Sequence, residues 1–191
     1  LMLKEHYRSH EDIIRFSNEA FYDGKLVVKS DLTNRKIPKS ILDNACGMFW
    51  LNVAGTTIQP PSGSAKNLQE ISAIQHGLPL IYQHLKDMGW ESSIGVVTPY
   101  REQRNTIQRW VDTQFVDGVT VGTAHTFQGD ERDIMLFSTV LAMGISDGSL
   151  AWLSKTENLL NVAITRARAI LIIVGDLNFC LSQRDNNPYK R

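Results

Sequence analysis

The sequence predicts an α/β fold: a mostly parallel central sheet in three layers, with helices on both faces. Two observations carry this expectation. From residue 92 onward, short apolar runs alternate regularly with helical segments. Those runs, among them Ile94-Gly95-Val96-Val97 and Ile170-Leu171-Ile172-Ile173-Val174, lack the apolar–polar alternation of a half-exposed strand. Strands buried on both faces and joined by helices have this pattern. At 191 residues the chain is long enough for one well-buried core and short for two, so residues 1–191 are read as a single domain.

The elements follow in order. Ser9 is placed to cap a helix over residues 10–22, with Ile13, Ile14, Phe16, Ala20 and Phe21 on its apolar side and Gly24 ending it. Residues 29–47 are polar and irregular, and Met48-Phe49-Trp50-Leu51-Asn52-Val53 reads as a strand. Pro60, Pro61 and Gly63 mark residues 55–64 as a loop. Asn67 with Glu70 three residues on marks a helix start, and that helix runs toward Met88. Gly77 and Pro79 are expected to break or kink it. Strands follow at 94–97, 119–121 and 134–140, with a helix over 99–115 between the first two. A loop then runs to Ser154. An amphipathic helix, Leu159 to Arg168, carries two arginines in its last turn and leads directly into the final strand, 170–174.

Bulk properties narrow the function classes. Hydrophobic content of 42% and charged content of 21% are those of an ordinary soluble globular protein. Formal net charge is zero, so any nucleic-acid binding must rest on a local patch. Cys46 and Cys180 lie far apart without metal-ligand spacing, which fits a reducing, cytoplasmic setting, and no metal site is assigned. No apolar run approaches the roughly 20 residues that span a bilayer, and the N-terminus lacks a signal-peptide pattern. The chain begins Leu1-Met2-Leu3 and contains no Gly-x-x-x-x-Gly-Lys-Thr phosphate loop. Both facts suggest a piece of a longer protein.

Four segments carry candidate chemistry, each expected where an open α/β sheet places ligands, at carboxyl ends of strands and the helix starts after them. In Thr98-Pro99-Tyr100-Arg101-Glu102-Gln103, Thr98 suits a helix cap and Pro99 the first helical position. Free backbone N–H groups there suit a phosphate, and Tyr100 suits a stacked base; the same residues also make a well-capped helix start without a ligand. In the stretch from Gly122 to Asp133, Thr123, His125 and Gln128 cluster past a strand, Gly129 allows close backbone approach, and Glu131 suits ribose hydroxyls. A solvated polar turn is the alternative there. In the arginine helix, Arg166 and Arg168 stand about 200° apart, so only one can face a given phosphate. In Tyr7-Arg8-Ser9-His10, a cation sits at a helix start, which the helix dipole disfavours unless an anion relieves it.

The order Tyr7-Arg8-x-His10, Thr98-Pro99-Tyr100-x-x-Gln103, Phe127-Gln128-Gly129-x-Glu131-x-Asp133 and Asn161-Val162-Ala163-Ile164-Thr165-Arg166-Ala167-Arg168 closely resembles the second, C-terminal RecA-like domain of superfamily 1 helicases. The nearest branch holds the nonsense-mediated-decay helicase and senataxin-type enzymes, and the resemblance covers nearly the whole chain. It implies an ATP-driven helicase or translocase, with ATP and Mg2+ bound mainly by a first RecA-like domain absent from this chain, and single-stranded DNA or RNA as the partner. Arg8 and Arg166 are then the catalytic arginines that reach the γ-phosphate. Glu131 contacts the ribose, while Gln128 and Gly129 shape the loop between ATP and nucleic acid. Thr98, Pro99, Tyr100 and Gln103 grip the strand, with Thr123 and His125 on the same track. Ser9-His10-Glu11 departs from the family's Met-His-Pro, and Gly77 and Pro79 interrupt a normally continuous helix. The isolated chain is expected to be inactive as an ATPase. The alternative is a helicase-derived nucleic-acid or protein-binding module without ATPase activity.

Overall fold

The computed structural model describes residues 5–31, 46–61, 63–89, 91–114, 118–127 and 129–183. In chain order the elements are β1 (Glu5–His6), α1 (Glu11–Phe21), β2 (Val27–Val28), β3 (Gly47–Asn52), β4 (Thr57–Ile58), β5 (Lys66–Asn67) and α2 (Leu68–Asp87). They continue with β6 (Ile94–Val97), α3 (Arg101–Gln114), β7 (Val119–Gly122), β8 (Arg132–Ser138), α4 (Asp147–Lys155), α5 (Glu157–Ile164), β9 (Ala167–Gly175) and α6 (Leu177–Ser182). Five strands form the central sheet in the order β3-β9-β8-β6-β7, and every pairing in it is parallel. The predicted α/β architecture is therefore the observed one.

The buried strands divide their side chains between two cores. Ile134, Leu136, Ile170 and Val174 face α2 and α3, where Ile74, Leu78 and Ile107 meet them. Met135, Phe137, Leu171 and Ile173 face the other way, toward Ile13 of α1 and Leu160, Ala163 and Ile164 of α5. Helices on both faces explain why the strands lack alternation. A third cluster, with Tyr100, Val140, Leu141 and Leu153, lies beyond the carboxyl end of β8 and seats α4.

Several elements differ from the sequence reading, each for an identifiable reason. α2 is continuous despite Gly77 and Pro79. Its buried face, Ile71, Ile74, Leu78 and Leu85, keeps helical spacing across the proline, and that packing outweighs a local penalty of roughly 3 kcal/mol. His10, not Ser9, caps α1, its ring accepting from the Asp12 N–H. The segment to Ser154 contains α4, capped by the Ser146 side chain. β8 ends at Ser138, because Val140 turns to a left-handed φ of +63°. The arginine helix ends at Ile164; Arg166 lies in the following turn and Arg168 already in β9. The helical 200° between them therefore does not apply. β1, β2, β4, β5 and α6 are two to six residues long and leave too little periodicity to read. Most of the irregular stretch 29–47, the end of the helix at Phe115, and Gln128 lie outside the described residues.

Glu70 ties these parts together. Its carboxylate, fully buried, accepts from Ser138 Oγ (2.6 Å), the Val140 N–H (2.9 Å), Thr139 Oγ1 (3.2 Å) and Asn67 Nδ2 (3.3 Å). Burial pushes its pKa up to about 7, partly offset by the Ser138, Val140 and Thr139 hydrogen bonds. Because the folded pKa lies above the ordinary value, folded Glu70 holds its proton where the unfolded chain has released it. Stability from this group is full below about pH 4.5 and declines as pH rises to about 7, by at most roughly 3 kcal/mol. Urea unfolding across pH 4.5–8 is expected to show this decline in wild type and a flatter profile in Glu70→Gln. At Gly77 an added Cβ would meet nothing within 4 Å, so Gly77→Ala is expected to raise stability by about 0.5–1 kcal/mol in the same assay.

Candidate nucleotide and nucleic-acid sites

The sequence-predicted site residues separate onto two edges of the sheet. Thr98, Pro99 and Tyr100 follow the carboxyl end of β6, and Thr123 and His125 follow that of β7. Glu131 precedes the start of β8, and Arg166 and Arg168 flank the start of β9, so they gather at the opposite, amino edge. Only the first group sits where an open parallel sheet places ligands. The 123–131 connection spans from one edge to the other.

At the amino edge, backbone hydrogen bonds set three arginines around one glutamate. The His10 N–H donates to the Arg168 carbonyl (2.7 Å), which docks the Tyr7-Arg8-Ser9-His10 segment on β9. The Arg132 N–H donates to the Arg166 carbonyl (3.0 Å), which fixes the turn after α5. Glu131 then pairs with Arg8 through one carboxylate oxygen and with Arg168 Nε (2.9 Å) through the other. Arg168 also reaches Asp133 Oδ1 at 3.3 Å. Glu131 thus supplies the anion that the Arg8 position demands, and Arg168 anchors the two carboxylates.

Arg166 differs from its neighbours. Its Nε donates to the Val162 carbonyl (3.2 Å) and an Nη donates to Thr165 Oγ1 (3.4 Å); among the described residues it has no ion-pair partner. Burial, then the charge of Arg8, pull its pKa below the usual arginine value, against the opposing pull of Glu131. The guanidinium remains charged throughout the physiological range. Burial first, then Arg8, also lowers His6, whose Nε2 accepts from the Ser9 N–H (2.9 Å). Three guanidinium groups against two carboxylates leave this edge with surplus positive charge, an arrangement that favours a multivalent anion.

The connection between edges is held firmly. Phe127 is fully buried, and the Arg132 guanidinium lies 5.8 Å from its ring centroid. Arg132 also bonds Asp130 (2.6 Å), the Glu131 carbonyl (2.7 Å) and Thr120 Oγ1 (2.9 Å). Gly129 has φ +83°, a left-handed conformation that a side chain strains.

At the carboxyl edge a groove of about 850 Å³ is lined by Pro99, Tyr100, Thr123, His125, Ser149 and Trp152, among others. Two strand-grip expectations change here. Tyr100 is 6% exposed; its hydroxyl donates to the Ser149 carbonyl (3.2 Å) and its ring packs on Trp152. Gln103 is fully buried, donating to Ser138 Oγ (2.8 Å) and accepting from the Asn67 N–H (2.9 Å). Both side chains are occupied within the fold. Thr98 does not cap α3, which starts at Arg101 with its Glu102 N–H donating to Ser64 Oγ (3.0 Å). Pro99, Thr123 and His125 remain accessible from the groove. Trp152, on the unpredicted α4, is the groove residue that sequence reasoning missed; only its neighbour Leu153 is deeply buried.

A family model described as an AAA domain matches residues 1–178. The chain belongs to this family. Within it the chain is a C-terminal RecA-like domain of superfamily 1 helicase type, on the nonsense-mediated-decay helicase and senataxin branch. Helicase sen1 of Schizosaccharomyces pombe is 29% identical over 92% of this chain and 11% of its own length. Probable helicase MAGATAMA 3 of Arabidopsis thaliana is 31% identical over 91% of this chain and 22% of its own. Probable helicase senataxin of Homo sapiens is 30% identical over 98% and 7%. The chain therefore spans less than a quarter of each of these relatives. Among the described residues no helix is long and apolar enough to cross a membrane.

The AAA-domain chain depends on Gly122 to hold the 123–131 connection. An added Cβ there would overlap the Thr126 side chain, whose Oγ1 accepts from the Thr123 N–H at 3.2 Å. Gly122→Ala is expected to cost about 1–3 kcal/mol in urea unfolding. An unchanged midpoint would show that the connection yields freely.

Proposed function

We propose that this chain is the C-terminal motor half of an ATP-dependent helicase or translocase acting on single-stranded DNA or RNA. The observation that carries the reading is the amino-edge cluster, where Arg166 holds a half-buried guanidinium that has no ion-pair partner among the described residues, beside the Arg8–Glu131–Arg168 network. A triphosphate fits this surplus of positive charge. Arg8 and Arg166 would hold its γ-phosphate, Glu131 its ribose, and Gln128 and Gly129 would shape the loop beside it. ATP with Mg2+, bound mainly by a first RecA-like domain across a cleft, supplies the free energy. Arginines so placed stabilise the charge that develops on a transferring phosphoryl group.

The two edges give the proposal its mechanical sense. Pro99, Thr123 and His125 would hold the strand at the carboxyl edge, with Tyr100 and Gln103 positioning them from behind. The 123–131 connection joins that grip to Glu131. Arg8 and Arg166 gain a phosphate partner only when the cleft closes, so closure and opening alternate with nucleotide state and step the chain along the strand. A binding-only module would have no use for Arg166 in its present setting. Cys180 carries a buried free thiol, in keeping with a reducing, cytoplasmic setting.

In the intact protein, Arg166→Ala is expected to lower strand-stimulated ATP turnover by roughly a thousand-fold or more, while binding to a labelled single strand changes little. Steady-state phosphate release and fluorescence anisotropy measure the two quantities. Undiminished turnover would remove Arg166 from the catalytic assignment.

A further inference from the structure

Two features of the carboxyl-edge groove are not accounted for by the residues assigned above. The first is Trp152. It lies in α4 with 41% of its surface exposed, although tryptophan is a residue that folding usually covers well. Its ring is not loose. Tyr100 packs against it with centroids 5.8 Å apart and planes tilted by 47°, and the Tyr100 hydroxyl is tied to Ser149 in the same helix. Tyr100 is itself buried, so Trp152 is the accessible member of an aromatic pair whose inner member is locked. The second feature is Thr98. It is fully buried, it lines the same groove, and its Oγ1 has no hydrogen-bond partner among the described residues. A buried hydroxyl without a partner calls for an explanation, and of the six such side-chain atoms among the described residues Thr98 Oγ1 is the one that lines this groove, where a ligand atom would complete its set.

We propose that Trp152 is a stacking platform for one unstacked base of the bound single strand, with Thr98 Oγ1 hydrogen-bonding the same nucleotide. This rests on the single-strand reading above and adds to it a contact to a base rather than to the backbone. A rigid aromatic face in a groove accepts any base, because every base presents a π surface. The platform therefore gives affinity without sequence preference, as a translocating motor requires. Pro99, Thr123 and His125 line the same groove, which makes the stacking surface continuous with the proposed track. The Tyr100 motif then acts on the strand indirectly, as the support beneath Trp152.

The test uses the intact protein with three fluorescein-labelled single strands: oligo(dT), oligo(rU), and an abasic strand of equal length with the same phosphates. Trp152→Ala is expected to weaken binding of both homopolymers about 5- to 150-fold and to leave the abasic strand unaffected. Trp152→Phe is expected to retain binding within roughly threefold of wild type, since a phenyl face still stacks. Irradiation of wild-type protein bound to a 5-iodouracil strand, followed by peptide mass spectrometry, is expected to place a crosslink on Trp152; this arm needs no variant to fold. Homopolymer binding unchanged in Trp152→Ala overturns the proposal, as does equal loss on the abasic strand, which would mean a packing role. Crosslinks elsewhere in the groove without any on Trp152 also overturn it. In each of those results the protein still binds single strands, and the motor reading stands. Failure of the wild-type protein to bind any strand overturns both.

Discussion

The carboxylate of Glu70 is buried on α2, yet it organises the carboxyl end of β8. Four donors converge on it: the Ser138 and Thr139 hydroxyls, the Val140 N–H and the Asn67 amide. Gln103 extends the set, donating to Ser138 while accepting from the Asn67 N–H. One network thus joins the start of α2, the start of α3 and the end of the central strand. It also holds Val140 at φ +63°, a conformation costly for a β-branched residue, with Thr57 Oγ1 bonding the Val140 carbonyl at 2.5 Å. That turn redirects the chain toward α4, and α4 brings Trp152 to the groove. Removing the carboxylate would leave buried donors without partners, which costs more than the net value of the bonds themselves.

The amino edge is organised by the opposite principle. Glu70 is surrounded by donors and fully satisfied, whereas the arginine cluster carries more positive charge than its two carboxylates balance. Glu131 divides its oxygens between Arg8 and Arg168, and among the described residues Arg166 donates to the Val162 carbonyl and the Thr165 hydroxyl without meeting a carboxylate. A fold shaped by stability alone would have little reason to hold a half-buried guanidinium near two others. Local conflict of this kind is where function is to be sought, and this one sits where three separate chain segments are fixed by backbone hydrogen bonds.

Much of this was legible in the sequence. Consecutive apolar residues at 94–97 and 170–174 reported strands covered on both faces, and helices on both faces are what the structure contains. The spacing of Asn67 and Glu70 marks a helix start, and α2 begins there. Asn67 does accept from the Gln69 and Glu70 N–H groups, while Glu70 turns inward to β8, a tertiary demand that local spacing does not encode. Pro79 does not break α2, because its penalty is local and the packing that overrides it is not. Nothing in Thr165-Arg166-Ala167 announces a stop, so the sequence predicts Arg166 and Arg168 on one helix; the stop comes from β9 pairing with β8 from Ala167 onward. Tyr100 and Gln103 show a further limit. Their residue types suit a strand grip, but only the tertiary structure shows that their polar atoms are already occupied.

The distance between the two edges gives the 123–131 connection its importance. On the motor reading, closure around a phosphate must reach the strand through this segment, and a slack loop would absorb the displacement. The structure opposes slackness at several points: Gly122 packs against Thr126 too closely for any side chain, Phe127 is fully buried, and Arg132 holds Asp130 and the Glu131 carbonyl. The two described arms of this connection, 123–127 and 129–131, are therefore each braced against the domain, and on the motor reading a braced arm passes on whatever moves it, in either direction. Strand engagement at Thr123 should then bias the Arg8–Glu131 pair as much as nucleotide biases the strand, because coupling between two binding sites is reciprocal.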